Sequence, residues 1–256
     1  LDKRVIDHSG DFRYKNVEVY EKWYGIKHQM PELLEKSVYG LPELYRDKIK
    51  DAQIVANPGC YPTCSILGIA PLLKNNIIET KNIIIDAASG VTGAGRSTDL
   101  PYQFCECTEN YKAYKVSNHR HTSEIEQELS FLANENILVS FTPHLTPMKR
   151  GMLATIYGNL KKETSTSELI NLYREFYKNE FFVRVLDEGK LPETKFVAGS
   201  NFIDISIVVD KRLNRVVVLS CLDNLGKGAS AQAVQDLNIM CGYDEKTGLE
   251  APGLYL

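Results

Sequence analysis

Cys60 is the residue whose position promises the most chemistry. It follows Asn57-Pro58-Gly59, a turn signal that ends the short apolar run Ala52–Ala56, and it precedes a helix predicted from Tyr61 to Lys74. Pro62 suits the first turn of that helix, where a missing N–H costs nothing, and Asn75-Asn76 ends it. A helix N-terminus offers unsatisfied N–H groups and about half a positive charge. That setting favours a nucleophilic thiolate and can hold an oxyanion or a phosphate. A buried structural cysteine is the competing reading of Cys60, and placement by itself leaves the two level. Cys64, one turn on, falls on the apolar side and reads as core.

A nucleophilic thiol needs a proton carrier within reach. His119-Arg120-His121, just before a helix predicted from Thr122 to Ala133, offers two imidazoles and an anion clamp. In an extended loop His119 and His121 would point one way and Arg120 the other. A polar loop with capping histidines is the competing reading. The loop Ser89-Gly90-Val91-Thr92-Gly93-Ala94-Gly95-Arg96 follows a strand but is spaced G-x-x-G-x-G, a poor dinucleotide fingerprint. Its backbone can still approach a ligand, with Arg96 free for an anion. Pro143-His144-Leu145-Thr146-Pro147-Met148-Lys149-Arg150-Gly151 is a basic, proline-bounded loop suited to an anionic substrate or simply rigid. Asp223-Asn224-Leu225-Gly226-Lys227-Gly228 leads into the last predicted helix, Ala229–Cys241.

The elements that must position these residues fall into two styles. Short β/α units come first: a strand at Arg4–Asp7, a helix at Glu18–Tyr24 stopped by Gly25, and strands at Ala52–Ala56 and Asn82–Asp86. Strands then dominate, at Ile137–Phe141, Met152–Asn159, Phe182–Val185, Asn201–Val209 and Arg215–Leu222, with the helix Ser167–Asn179 among them. This is an α/β unit followed by an α+β layer with a mixed or antiparallel sheet.

The chain has 256 residues, 43% hydrophobic and 25% charged, an ordinary globular balance able to bury a sizeable core. A net charge of −3 argues against a nucleic-acid partner. The longest apolar run, Val216–Cys221, is strand-sized and far short of the ~20 residues that cross a bilayer, and the charged opening Leu1-Asp2-Lys3-Arg4 is no signal peptide. Six cysteines without paired CxxC spacing suggest neither a disulfide scaffold nor a zinc site, so the expectation is a reduced, cytoplasmic protein without a metal.

Taken in order, these segments resemble the N-acetyl-gamma-glutamyl-phosphate reductases. Asn57–Thr63, Ser89–Arg96, His119-Arg120-His121-Thr122-Ser123-Glu124-Ile125-Glu126-Gln127, Thr142–Gly151, Val5–Arg13 and Asn224–Ala229 all match that family's motifs, and the match runs over essentially the whole chain. Aspartate-semialdehyde dehydrogenases share the plan but not the His119–Gln127 and Pro143–Gly151 segments. The resemblance implies that Cys60 attacks N-acetyl-glutamyl phosphate, that NADPH reduces the resulting thioester, and that the thiohemiacetal collapses to N-acetyl-glutamate semialdehyde. It implies His121 or His119 as proton carrier, His121 favoured. It also suggests Asn57, Arg96, Arg120, His144, Lys149 and Arg150 at the substrate, and Ser89, Gly90, Gly93 and Asn224 by the nicotinamide.

The implied layout is the C-terminal part of a Rossmann-type NADP domain over 1–59, a catalytic and dimerisation domain over 60–222, and a C-terminal helix over 223–256 that returns to the first domain. A homodimer or homotetramer is expected. The family's glycine-rich dinucleotide loop, with its adenine and ribose contacts, has no counterpart in this sequence. A cofactor-independent thiol acyl transferase or hydrolase, or a catalytically silent assembly domain, are the alternatives.

Overall fold

The computed structural model describes residues 3–255, so Leu1, Asp2 and Leu256, which fall within the predicted first and last segments, lie outside the described residues. The chain runs β1 (Val5–Asp7), α1 (Val17–Tyr24), β2 (Ser37–Tyr39), α2 (Pro42–Asp51) and β3 (Ile54–Ala56). It continues through α3 (Cys60–Lys74), β4 (Ile83–Gly90), α4 (Phe104–Cys107), β5 (Lys112–Ala113) and α5 (His121–Ala133). Then come β6 (Val139–Thr146), β7 (Met152–Asn159), α6 (Thr166–Phe176), β8 (Val183–Val185), α7 (Thr194–Val197), β9 (Ile203–Asp210), β10 (Arg215–Leu222) and α8 (Ala231–Cys241).

Two sheets organise these elements. The first is small and parallel, in the order β1-β3-β2. The second has seven strands in the order β5-β6-β4-β7-β10-β9-β8. It is mixed: β4 runs parallel to β6, β8 parallel to β9, and the β4–β7–β10–β9 pairings are antiparallel. The expectation of an α/β start followed by a mixed α+β layer is met. Strands β2 and helix α2 are additions to it, and β4 and β6 run several residues further than their apolar runs.

Alternation decides which face of the large sheet is buried. Ile83, Ile85, Ala87, Phe141, Leu145, Met152, Ala154, Ile156, Val216, Val218, Ile203 and Ile205 are buried on one face. Helix α3 lies on that face, and its residues from Tyr61 to Leu73 are buried on all sides. It is therefore apolar all round, as a helix enclosed between a sheet and other helices must be. Helix α5 packs along α3, and α8 turns back onto α2 and β1, so the last helix does return to the first sheet.

Candidate active site

Helix α3 begins at Cys60, one residue earlier than predicted, with Gly59 as its N-cap in extended backbone and no side-chain cap. In its first turn the Cys60 and Tyr61 N–H groups act on the thiol, while Pro62 has none and the Thr63 N–H donates to the Gly59 carbonyl (3.0 Å). Cys60 touches two adjoining cavities. The first, about 220 Å³, is walled by Cys60, Tyr61, Ser89, Gly90, Gly93, Tyr102, Tyr114, Lys115, His119, Arg120 and His121. The second, about 470 Å³, is lined by Asn57, Gly59, Cys60, Thr92, Gly93, Gly95, Asn224, Leu225, Gly228 and Ala229, with Arg13, Arg120 and His121. Cys60, Gly93, Arg120 and His121 belong to both, so the thiol sits at the junction of two compartments.

The turn that presents Cys60 is fixed from below by a buried carboxylate. Glu124, on the first turn of α5, is fully buried. Its Oε1 accepts from the Gly59 N–H (2.9 Å) and the Tyr39 hydroxyl (2.7 Å). Its Oε2 meets Arg13 Nη1 at 3.1 Å. Arg13 in turn donates from Nε to the Asn57 carbonyl (2.8 Å) and from Nη2 to the His8 carbonyl (3.2 Å). One ion pair thus links the first sheet, the nucleophile turn and the helix that carries the histidines. A buried pair of this kind adds rigidity when every remaining lone pair is occupied.

His121 is the first residue of α5, and its ring abuts Gly59. Its backbone N–H donates to His119 Nδ1 (3.1 Å), which fixes the His119 ring. The two rings lie 4.8 Å apart at 67°. The Tyr61 ring meets both edge-on. His121 Nδ1 is buried without a hydrogen-bond partner, whereas His119 Nδ1 is engaged. Burial holds both imidazoles neutral: His119 is lowered to about 4, and His121 well below its ordinary value, with His119, Arg13 and Arg120 adding repulsion.

The thiol departs from the sequence expectation. Burial pushes Cys60 up to about 11, against the pull of the Tyr61 backbone N–H and of Arg13. Removal from water here outweighs the helix terminus, and the resting pair is neutral thiol with neutral imidazole. Cys64 is core: it is fully buried and its thiol donates to the Ser220 carbonyl at 3.1 Å. All six cysteines are free.

The structure sorts the remaining predicted residues. Ser89, Gly90, Gly93 and Arg120 line the first cavity, Asn57 and Asn224 the second. His119 and His121 do face together, but Arg120 does not turn away; the turn from His119 into α5 brings all three to the same opening. Asn224 ties three loops together, since its Oδ1 accepts from Gly151 N–H (2.8 Å) and its Nδ2 donates to Thr92 Oγ1 (2.9 Å).

Four residues predicted at the substrate fall elsewhere. Arg96 and Lys149 are exposed and line neither cavity. The Lys149 carbonyl instead accepts from Thr92 Oγ1 (2.6 Å), closing the glycine loop. Arg150 Nε lies 3.0 Å from the buried Asp223 carboxylate. His144 alternates with the cavity-lining Leu145 on β6, so its ring stands on the opposite face of the sheet, 2.9 Å from Asp86 Oδ1 and stacked on Tyr111 at 5.1 Å. Only its backbone carbonyl reaches inward, accepting from the Tyr61 hydroxyl (3.1 Å). Conversely, Arg13, Glu124, Tyr61, Tyr114 and Lys115 are site residues that the sequence did not single out. Among the described residues, no group of three or more His, Cys, Asp or Glu is placed to hold a metal ion.

Glycines form the wall of the second cavity beside the thiol. A Cβ on Gly228 would stand 2.9 Å from the Cys60 Cβ, and one on Gly93 3.2 Å from Ser89 Oγ, so glycine keeps both walls open. A thiol at a helix start, flanked by imidazoles and backed by such a cleft, is the arrangement of a cysteine-dependent aldehyde dehydrogenase. The comparisons agree. Residues 60–224 match the family described as "Semialdehyde dehydrogenase, dimerisation domain". A solved aspartate semialdehyde dehydrogenase II from Vibrio cholerae shares the fold with a TM-score of 0.70 at 15% identity, covering 93% of this chain and 72% of that one. The protein is thus an oxidoreductase of the semialdehyde dehydrogenase class, whose cofactor is a nicotinamide.

The sequence relatives narrow the class. The chain is 76% identical over 254 residues to the N-acetyl-gamma-glutamyl-phosphate reductase of Acetivibrio thermocellus, covering 99% of this chain and 73% of that protein. It is 56% identical over 255 residues to the reductase of the same name from Caldicellulosiruptor bescii, covering 100% and 74%. The chain belongs to the N-acetyl-gamma-glutamyl-phosphate reductase family.

Proposed function

We propose that the protein reduces N-acetyl-L-glutamyl 5-phosphate to N-acetyl-L-glutamate 5-semialdehyde and phosphate, in arginine biosynthesis, with Cys60 as nucleophile and NADP as the form of its cofactor. The carrying observation is the junction: Cys60 opens at once into a compartment walled by His119, Arg120, His121 and Lys115 and into a glycine-lined one.

The acyl phosphate is assigned to the first compartment, where Arg120 and Lys115 supply positive charge for its anionic groups. His121 takes the Sγ proton as sulfur bonds to the acyl carbon. The carbon–oxygen bond to phosphate breaks, and that proton leaves with the phosphate. The nicotinamide, when bound in the second compartment, supplies the hydride that reduces the thioester. As the hemithioacetal oxyanion re-forms its carbonyl, the C–S bond breaks and His121, reprotonated from solvent, returns a proton to Sγ. A neutral His121 suits the first step, because a base must start unprotonated. The Cys60 and Tyr61 N–H groups at the start of α3 are assigned to the negative charge that develops on the acyl oxygen. Residues Asn57, Ser89, Gly90, Gly93 and Asn224 are assigned to holding the two ligands, and His119, its ring held by the His121 N–H, is the second candidate proton carrier.

The chain divides at this site into a dinucleotide-domain part over 1–59, a catalytic and dimerisation part over 60–222, and a returning helix over 223–256. The outer face of the seven-stranded sheet is offered to a second copy of the chain. Ile84 and Val208 are exposed there, with Leu153, Tyr157, Val217 and Leu219 half-buried between them. The family description of residues 60–224 as a dimerisation domain supports this use. Free thiols and the lack, among the described residues, of any helix long and apolar enough to cross a membrane support a cytoplasmic setting.

The test is a trapped thioester. Acyl phosphate added without cofactor should leave the acyl mass on the peptide bearing Cys60, and Cys60→Ala should lose both adduct and semialdehyde oxidation. Activity surviving in Cys60→Ala overturns the assignment.

A further inference from the structure

Two arginines border the larger compartment, and they differ in what holds them. Arg13 is buried and paired with Glu124 at 3.1 Å. Arg120 is exposed and borders both compartments. Its backbone is fixed, since its carbonyl accepts from the Tyr14 hydroxyl (3.2 Å) and from Ser123 Oγ (3.0 Å). Among the described residues its guanidinium makes no ion pair and no hydrogen bond; it lies over the Tyr24 ring, with Cζ 5.4 Å from the centroid. A guanidinium donates in its own plane, so a ring against one face leaves the N–H groups open to a ligand.

Tyr24 is the last residue of α1, and its own place is fixed by its neighbours. Its ring stacks on Tyr20 (4.6 Å, 19°) and meets Tyr14 edge-on (6.0 Å, 78°). Tyr20 is held in turn, donating to Asp11 Oδ1 at 2.7 Å. Gly10 leaves room for the Tyr24 hydroxyl: a Cβ there would lie 1.9 Å from its oxygen. A rigid aromatic block from the first part of the chain thus carries a platform for an arginine that belongs to the α5 entry. The block touches the site through this one guanidinium and through the Tyr20 and Tyr24 side of the larger compartment.

We infer that Tyr24 is a positioning residue: its ring holds Arg120 at the junction of the two compartments, where the guanidinium takes the phosphate of the acyl phosphate. This rests on the reading of the site proposed above, and it divides the two anionic groups of the substrate between the two cations. The phosphoryl group is bonded to the carbon that Cys60 attacks, so it lies beside the thiol. The carboxylate lies at the far end of the substrate chain. Arg120 borders both compartments, as Cys60 does, and is placed for the phosphate; Lys115 lines the acyl compartment alone and is left for the carboxylate. Arg13 cannot take either role, because Glu124 already occupies it.

Kinetics of the whole enzyme in the oxidative direction, with semialdehyde, NADP and inorganic phosphate, separate the two anions. Tyr24→Leu should raise the KM for phosphate about threefold to fivefold, the scale of an exposed cation–π contact, with kcat and the semialdehyde KM within about twofold. Tyr24→Phe keeps the ring and should restore the wild-type phosphate KM. Arg120→Met should raise that KM about tenfold or more, and adding Tyr24→Leu to it should change nothing further. Arg120 is exposed, so Arg120→Met tests the phosphate assignment even where Tyr24→Leu loosens α1, which thermal unfolding checks. An unchanged phosphate KM in either single variant overturns the inference, as does a rise in the semialdehyde KM in its place. A Tyr24→Leu effect that persists undiminished beside Arg120→Met overturns it too, since Tyr24 then acts on the fold and not through Arg120. A wild type with no phosphate-dependent semialdehyde oxidation overturns instead the reading of the site on which the inference rests.

Discussion

The His121 imidazole occupies the space that a side chain on Gly59 would fill: a Cβ built there would lie 2.5 Å from Nε2 and 2.8 Å from Cε1. Gly59 has φ −69° and ψ 154°, a backbone that any residue adopts. Its glycine is therefore required by the neighbouring ring and not by conformation. Gly59→Ala should displace His121 from Cys60 and lower kcat about 10²-fold, the scale of a misplaced proton carrier. Folding should survive, with circular dichroism unchanged. Wild-type kcat in Gly59→Ala would show that His121 has no part in the chemistry.

Burial of Cys60 sets its reactivity toward small electrophiles. With the thiol pushed up to about 11, the thiolate fraction is small at neutral pH. Carbamidomethylation of Cys60 by iodoacetamide should then climb about tenfold per pH unit from 7 to 10, because only the thiolate reacts. A rate that levels off below pH 8 would mean that the helix terminus outweighs desolvation after all. Bound acyl phosphate should block the reaction at any pH.

Glu128 lies one turn beyond Glu124 on α5 and is 1% exposed. Burial raises it to about 7 from an ordinary 4.5, with Glu124 adding repulsion, although the Tyr45 hydroxyl donates to it at 2.6 Å. Its folded pKa exceeds its unfolded one, so its favourable contribution is complete below about 4.5 and fades as pH rises through 7. His119, lowered to about 4, works in the opposite sense: its contribution is full above 6.5 and lost as pH falls through 4. Comparing Glu128→Gln with wild type isolates the first. Denaturant unfolding should show the variant gaining on wild type between pH 4.5 and 7, by on the order of 1–3 kcal/mol at pH 8. A constant difference across that range would refute the assignment.

How much of this the sequence revealed depends on the range of each signal. Strands β7 and β10 begin and end where the sequence placed them, because an uninterrupted apolar run or strict alternation is a local property. Strand β2, three residues of mixed character, and α2, a strongly polar helix opened by Pro42, carry no such periodicity. His144 shows the limit of a motif read as a line: alternation puts Leu145 in the site and its neighbour on the other face. Arg13 and Glu124 are 111 residues apart in sequence, so nothing local could join them under the Cys60 turn.

Lys227 lies in the turn Gly226–Ser230 that seats Gly228 against Cys60, and it is fully buried. Its Nζ donates to Glu43 Oε1 at 2.6 Å on α2 and to Gln235 Oε1 at 2.7 Å on α8. The neighbouring buried carboxyl, Asp236, is pushed well above the usual carboxylate range by desolvation, against the pull of Lys227. Removing one partner leaves the other charge buried without compensation. Lys227→Met should therefore cost about 3–5 kcal/mol of unfolding free energy. Replacing both charges avoids that penalty, and Lys227→Met with Glu43→Gln should recover most of the loss. Denaturant midpoints of the two singles and the double complete the cycle. Equal losses in the single and double variants would mean that Lys227 holds the turn by its packing, with the ion pair contributing little.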